Sequence, residues 1–94
     1  MCYAVIIAKG AVRISKNFLP SIKHLITTEL ELIAKNPYHT PRLKGRFSFL
    51  RSWHVYIRGV PYRIIFEIEE NTKRVLIHLI AKRADVYKIL ERLF

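Results

Sequence analysis

The sequence predicts an α+β domain, and three features point to it. An apolar opening run is followed by a segment whose apolar residues recur every three or four positions. From Trp53 to Ile80 come three short segments in which apolar and polar residues alternate, the period of strands rather than helices. An amphipathic segment then closes the chain. At 94 residues the expectation is one domain, residues 1–94, large enough for a single core with little to spare.

Each element has its own signature. Met1 to Ala8 (MCYAVIIA) reads as a buried first strand, too short to span a bilayer and lacking the basic flank of a leader peptide. Lys9-Gly10 breaks it. Ala11, Ile14 and Phe18 recur at helical spacing, which predicts a short helix from Ala11 to Phe18. Pro20 suits the first position of a second helix, where a missing N–H costs nothing. Ile22, Leu25, Ile26, Leu30 and Ile33 form the stripe of that helix. Asn36-Pro37 ends it, since the residue before proline is pushed out of the helical region. The two helices are expected to pair as a hairpin on one face of a sheet.

The sheet follows. Gly59-Val60 predicts a two-residue type II′ hairpin, which pairs Arg58 with Pro61, Tyr56 with Arg63 and His54 with Ile65. Directly opposed residues share a face. Trp53, Val55, Ile57, Ile64, Phe66 and Ile68 therefore point towards the helices, and His54, Tyr56, Arg58, Arg63 and Ile65 point away. Glu69 to Thr72 makes the next turn and Val75 to Ile80 the last strand. Its register stays open: a two- or four-residue loop sets His78 opposite Arg63, and a bulged three-residue loop turns it to the other face. Asp85 to Phe94 forms a short C-terminal helix with Asp85 favourably near its N-terminus. The order is β-α-α-β-β-β-α, a small antiparallel-rich twisted sheet.

Charge narrows the partner. Seventeen Lys and Arg stand against seven Asp and Glu, a formal net charge of +10, and such an excess suits a polyanion or an acidic partner. A single cysteine, Cys2, forms no internal disulfide and fits a reducing cytoplasm; its expected role is that of a small buried hydrophobe. The long connection from Asn36 to Ser52 interleaves Arg42, Lys44, Arg46 and Arg51 with Tyr38, Phe47 and Phe49. Two readings stand for it: a surface that tracks a nucleic-acid backbone, or a loop that buries Leu43, Phe47 and Leu50 while its charges are solvated.

Zinc-ligand spacings, an HExxH motif, a glycine-rich phosphate loop and a GxSxG elbow are all missing from the sequence. What the outward face offers is chemistry on a phosphodiester that needs neither metal nor cofactor. RNA carries its own nucleophile, the 2′-hydroxyl. Arg63 and Arg83 are placed to stabilise a developing phosphorane, and His54 and Tyr87 to move protons, in either order. Tyr56, Arg58, Lys44, Arg46, Arg51 and Lys82 are candidate RNA contacts. The plain alternative is that Arg63 and Arg83 pair with Glu67 and Asp85.

Four segments in order, ELIAKNPY, RLKG, PYRIIFEI and AKRADVYKIL, resemble the RelE/ParE superfamily of toxin–antitoxin toxins over nearly the whole chain. The resemblance implies a cytoplasmic RelE-like toxin, an mRNA interferase that cuts mRNA on the ribosome, makes rRNA contacts and so inhibits translation. It also implies a cognate antitoxin, bound in a toxin–antitoxin hetero-oligomer. By the same resemblance Arg63 matches the family's sheet arginine, Arg83 the arginine after the last strand, and Tyr87 the tyrosine of the final helix. The two basic residues expected on the first hairpin strand fall at His54 and Tyr56, a departure that shifts proton transfer to His54 or weakens activity. A ParE-like gyrase inhibitor and a degenerate basic binding module are the alternatives.

Overall fold

The computed structural model describes residues 2–13 and 20–94, which build a four-stranded sheet. Strands β1 (Ala4–Ile7), β2 (Arg51–Ile57), β3 (Val60–Glu69) and β4 (Arg74–Lys82) lie in the order β1-β4-β3-β2. β1 runs parallel to β4; the other neighbours are antiparallel. Helix α1 (Pro20–Lys35) and helix α2 (Val86–Leu93) complete the fold. The α+β class, the antiparallel-rich sheet and the short C-terminal helix are as expected. No helix among the described residues is long and apolar enough to cross a membrane.

Both faces of the sheet are covered. On one, Ile26, Leu30 and Ile33 of α1 pack on Val55, Ile57, Ile64, Phe66, Val75, Ile77 and Ile80. On the other, Leu43, Phe47 and Leu50 from the long connection join Val86 and Leu90 of α2 over Ile65, Leu79 and Ala81. Ile64, Ile65 and Phe66 are consecutive and all fully buried, because a strand covered on both faces needs apolar residues at every position. The second reading of the 36–52 connection therefore holds for its apolar residues.

The start of the chain departs from expectation. Ala11 to Arg13 are extended rather than helical: Ile80 N–H donates to the Ala11 carbonyl, and Arg13 N–H donates to the Ile80 carbonyl, both at 2.8 Å. Val12 bridges Ile80 in parallel, so these residues resume the β1 pairing with β4 after the Gly10 turn. An open strand edge demands partners for its N–H and C=O groups, and that demand outweighs a weak helical spacing. The remainder of the expected helix, residues 14–18, lies outside the described residues. β1 is an edge strand rather than a buried one: Ile6 and Ile7 are 44% and 49% exposed, and Cys2 is also exposed.

The β2–β3 hairpin turns one residue earlier than expected. Arg58 and Gly59, at φ 51° and 77°, occupy the two central positions, as a type I′ turn requires. Ile57 pairs with Val60, Tyr56 with Pro61 and His54 with Arg63. Each partner moves by two residues, so every side chain keeps its predicted face. Between β3 and β4 a bulge falls at Ile65/Phe66, which pair with Leu79 and Ile77 and leave His78 as the extra residue. His78 thus sits opposite no β3 residue and meets Glu67 and Phe94 on the face away from α1; Ala81 faces Arg63.

Candidate nucleic-acid interface

The register brings the cationic residues together at one end of the sheet. Hydrogen-bonded and non-bonded pairs alternate in an antiparallel ladder, and Ile57/Val60 closes the two-residue turn as a bonded pair. His54/Arg63 is therefore a non-bonded pair, with Cα atoms about 4.5 Å apart and side chains close. Tyr62 pairs with Lys82, so Arg83 follows directly at the same end. His54, Tyr56, Pro61, Arg63 and Arg83 line a pocket of about 150 Å³, and no acidic side chain lines it.

Two electrostatic features mark the pocket. Among the described residues neither Arg63 nor Arg83 has a carboxylate partner, and Arg63 Nε is buried without a hydrogen-bond partner. The alternative pairing with Glu67 and Asp85 is not formed: Glu67 Oε1 lies 3.0 Å from His78 Nε2 instead. His54 titrates below the ordinary imidazole value, first because it is partly desolvated and then because Arg63 and Arg83 stand beside it. It is the neutral, proton-accepting form that these cations favour.

The other candidates are more dispersed. Tyr87 is on α2, 45% exposed, its ring centroid 6.2 Å from that of Phe47, and it does not line the pocket. Arg46 pairs with Glu91 at 2.8 Å and lies 4.6 Å over the Phe47 ring. Arg51 donates from Nη1 to the Thr40 carbonyl at 2.6 Å and stacks 5.1 Å over Tyr38. Lys44, Arg58 and Lys82 are exposed. The sequence did not single out Pro61 as pocket wall, nor the grouping of Tyr38, Arg42 and Phe49 with Glu67 in a second depression of about 330 Å³. The interleaving of basic and aromatic residues in the connection was the available signal for the latter.

At the far end of β3 the charges are matched. Glu70 accepts from Tyr38 at 2.7 Å, from Tyr3 at 2.8 Å and from Lys73. These donors, Lys73 foremost, hold its carboxyl down to about 2. Glu69 pairs with Arg74 and accepts from Thr72.

A parallel edge strand, a covering helix, an antiparallel hairpin with a third strand and a short closing helix together give the architecture of the RelE toxins. The Escherichia coli RelE toxin, as an arginine double mutant in the free state, superposes with a TM-score of 0.70 at 16% identity over the whole of both chains. The isolated E. coli RelE toxin gives 0.63 at 15% identity, over 98% of this chain and 99% of its own. The toxin–antitoxin complex RelBE2 from Mycobacterium tuberculosis matches with a TM-score of 0.62 at 20% identity, over 88% of this chain and 100% of that one. No protein-family model and no curated relative matches the chain.

Proposed function

We propose that this protein is the toxin of a toxin–antitoxin module and an endoribonuclease that cuts mRNA on the ribosome. The observation that carries the reading is the pocket in which two arginines, without carboxylate partners among the described residues, flank a histidine whose neutral form they favour. A scissile phosphate seated there would meet both guanidinium groups. His54 accepts the proton of the 2′-hydroxyl, whose oxygen attacks phosphorus. Arg63 and Arg83 stabilise the dianionic phosphorane, usually the largest single contribution to such catalysis. The bond to the 5′-oxygen then breaks, and that oxygen takes a proton from a phenol. The products are a 2′,3′-cyclic phosphate and a 5′-hydroxyl end.

Tyr56, which lines the pocket, is the phenol best placed for that last step. Tyr87, against Phe47, orients the strand as it enters. Exposed Lys44, Arg58 and Lys82 contribute charge along the mRNA and the surrounding rRNA, and Arg46 and Arg51, which do not line the pocket, add to it. The net charge of +10 favours an acidic antitoxin, associating quickly at low salt and slowly at high salt. The fold shared with a toxin captured in its antitoxin complex supports that partner, and a ribosomal target would place the protein in the cytoplasm.

The deciding experiment is mRNA cleavage in a purified translation system, with a gyrase supercoiling assay in parallel. Ribosome-coupled cleavage that leaves 2′,3′-cyclic phosphate ends and fails in Arg83→Ala supports the reading. Supercoiling inhibition without cleavage overturns it.

A further inference from the structure

A second site lies at the other end of β2, in the depression of about 330 Å³ lined by Tyr38, Arg42, Phe49, Arg51, Glu67 and Ile68. Tyr38 and Phe49, which line it, are each about half exposed, as aromatic side chains that stack a base are. Both are braced. The Arg51 guanidinium lies on the Tyr38 ring and is tied by Nη1 to the Thr40 carbonyl. Phe94 packs edge-on to Phe49, with centroids 5.4 Å apart, and also edge-on to His78.

The polar groups are of two kinds. Arg42 has no ion-pair partner among the described residues. Glu67 Oε1 accepts from His78 Nε2, and its Oε2 has no hydrogen-bond partner among the described residues. A carboxylate and a guanidinium within one aromatic cleft make a specific request. They suit a planar ring with neighbouring N–H donors on one edge and neighbouring acceptors on another. Guanine alone of the four RNA bases offers two adjacent donors, N1–H and N2–H, together with the acceptors O6 and N7 that arginine grips in bidentate fashion. Adenine, cytosine and uracil each turn an acceptor towards the carboxylate beside their donor.

We propose that this cleft binds a guanine base of the same RNA strand whose phosphate enters the His54 pocket; the inference rests on the RNA reading above. Glu67 and Arg63 are four residues apart on β3, roughly 13 Å along a strand, so the guanine belongs to a neighbour of the cleaved nucleotide. A third hollow, of about 220 Å³ and walled by Thr40, Pro41, Ser52, Trp53 and His54, lies between the two. It shares His54 with the first pocket, and its Ser52 directly follows Arg51 of the second in sequence.

The test has two arms. Titration with the four nucleoside 5′-monophosphates, followed by amide NMR shifts, should show guanosine monophosphate perturbing Glu67, Phe49 and Tyr38. The other three should bind roughly tenfold or more weakly there, within the discrimination a bidentate base contact gives. Glu67→Gln should abolish the preference, and Phe49→Ala should weaken all four alike, so one mis-folded variant does not hide the answer. In the second arm, cut sites on a mixed-sequence mRNA should carry a guanine at one fixed offset, an enrichment lost in Glu67→Gln. Equal binding of all four nucleotides, or shifts confined to His54 and its neighbours, overturns the proposal. Cleavage with no guanine offset and no selective binding sinks the base site and leaves the nuclease. Selective guanosine binding without cleavage sinks the nuclease and leaves the base site.

Discussion

The two ends of β3 carry similar densities of charge and treat them in opposite ways. Near the Glu70 turn each carboxylate has a cation or hydroxyl partner: Glu70 with Lys73, Tyr3 and Tyr38, and Glu69 with Arg74 and Thr72. Roughly 20 Å away along the strand, Arg63 and Arg83 face His54 with no carboxylate among them. The first arrangement ties β1, the segment after α1 and the β3–β4 turn into one corner. The second leaves cations unneutralised at close range, which a fold does without unless something else supplies the negative charge. On the proposed reading, the matched end serves stability and the unmatched end binds RNA.

The largest expected break in this comparison comes from the unmatched end. Arg83→Ala should lower mRNA cleavage by about 10²–10³-fold, the cost of removing one preorganised electrostatic donor. Its melting temperature should hardly change, because Arg83 is exposed and forms no ion pair among the described residues. Cleavage at the wild-type rate would remove Arg83 from the site.

Next in size is His54→Gln, expected to lower cleavage about 10²-fold, towards the smaller end for a lost proton acceptor. The pH dependence sharpens this. Because partial burial and the two arginines lower the His54 value, cleavage that uses His54 as base should rise with pH through a limb centred below the usual value of about 6.5. In Arg83→Ala the His54 value, followed by NMR, should move up, since one cation is gone. It should stay below the ordinary value while the partial burial persists. A limb unmoved in that variant would mean that another group titrates.

A graft tests the contrast directly. Tyr56→Glu puts a carboxylate into the unmatched pocket and should weaken RNA binding by roughly tenfold or more, because like charges opposed across an interface cost several kcal/mol. Stability should hold or rise, since two cations gain a partner. Tyr56→Phe and Tyr87→Phe, compared side by side, should show the larger loss of cleavage at Tyr56.

How the pocket was legible follows from the periodicity of strands. The hairpin turn was misplaced by one residue, because glycine was assigned the first central position when Arg58 takes the left-handed conformation ahead of it. Yet the resulting slip moves each partner by two, which leaves His54, Tyr56 and Arg63 on their predicted face and sets His54 opposite Arg63. The bulge at Ile65/Phe66 was beyond alternation to find, since a bulge is an interruption of the period itself; with it went the place of His78. The apolar face under α2 was half hidden as well. Leu43, Phe47 and Leu50 sit among arginines and lysines in the sequence, and only the fold turns them inward. Residues 11–13 misled for a different reason: their spacing was helical, but their backbone groups answer to Ile80.

The smallest effect on cleavage and the clearest on stability should come from the matched end. Glu70 has a folded value of about 2, below the roughly 4.3 of a free glutamate. A depressed carboxyl stabilises the fold fully above its unfolded value and loses that contribution as pH falls from about 4.3 towards 2. Glu70→Gln should therefore melt below the wild type at pH 7, and the two curves should converge as the pH drops through that window. The glutamine still accepts from Tyr3 and Tyr38 but loses the Lys73 charge pair, which is the foremost cause of the depressed value. Because Glu70 lies at the far turn from His54, the variant's cleavage at saturating mRNA should equal the wild type's. A Glu70→Gln protein that melts with the wild type but cuts poorly would reverse the assignment of the two ends.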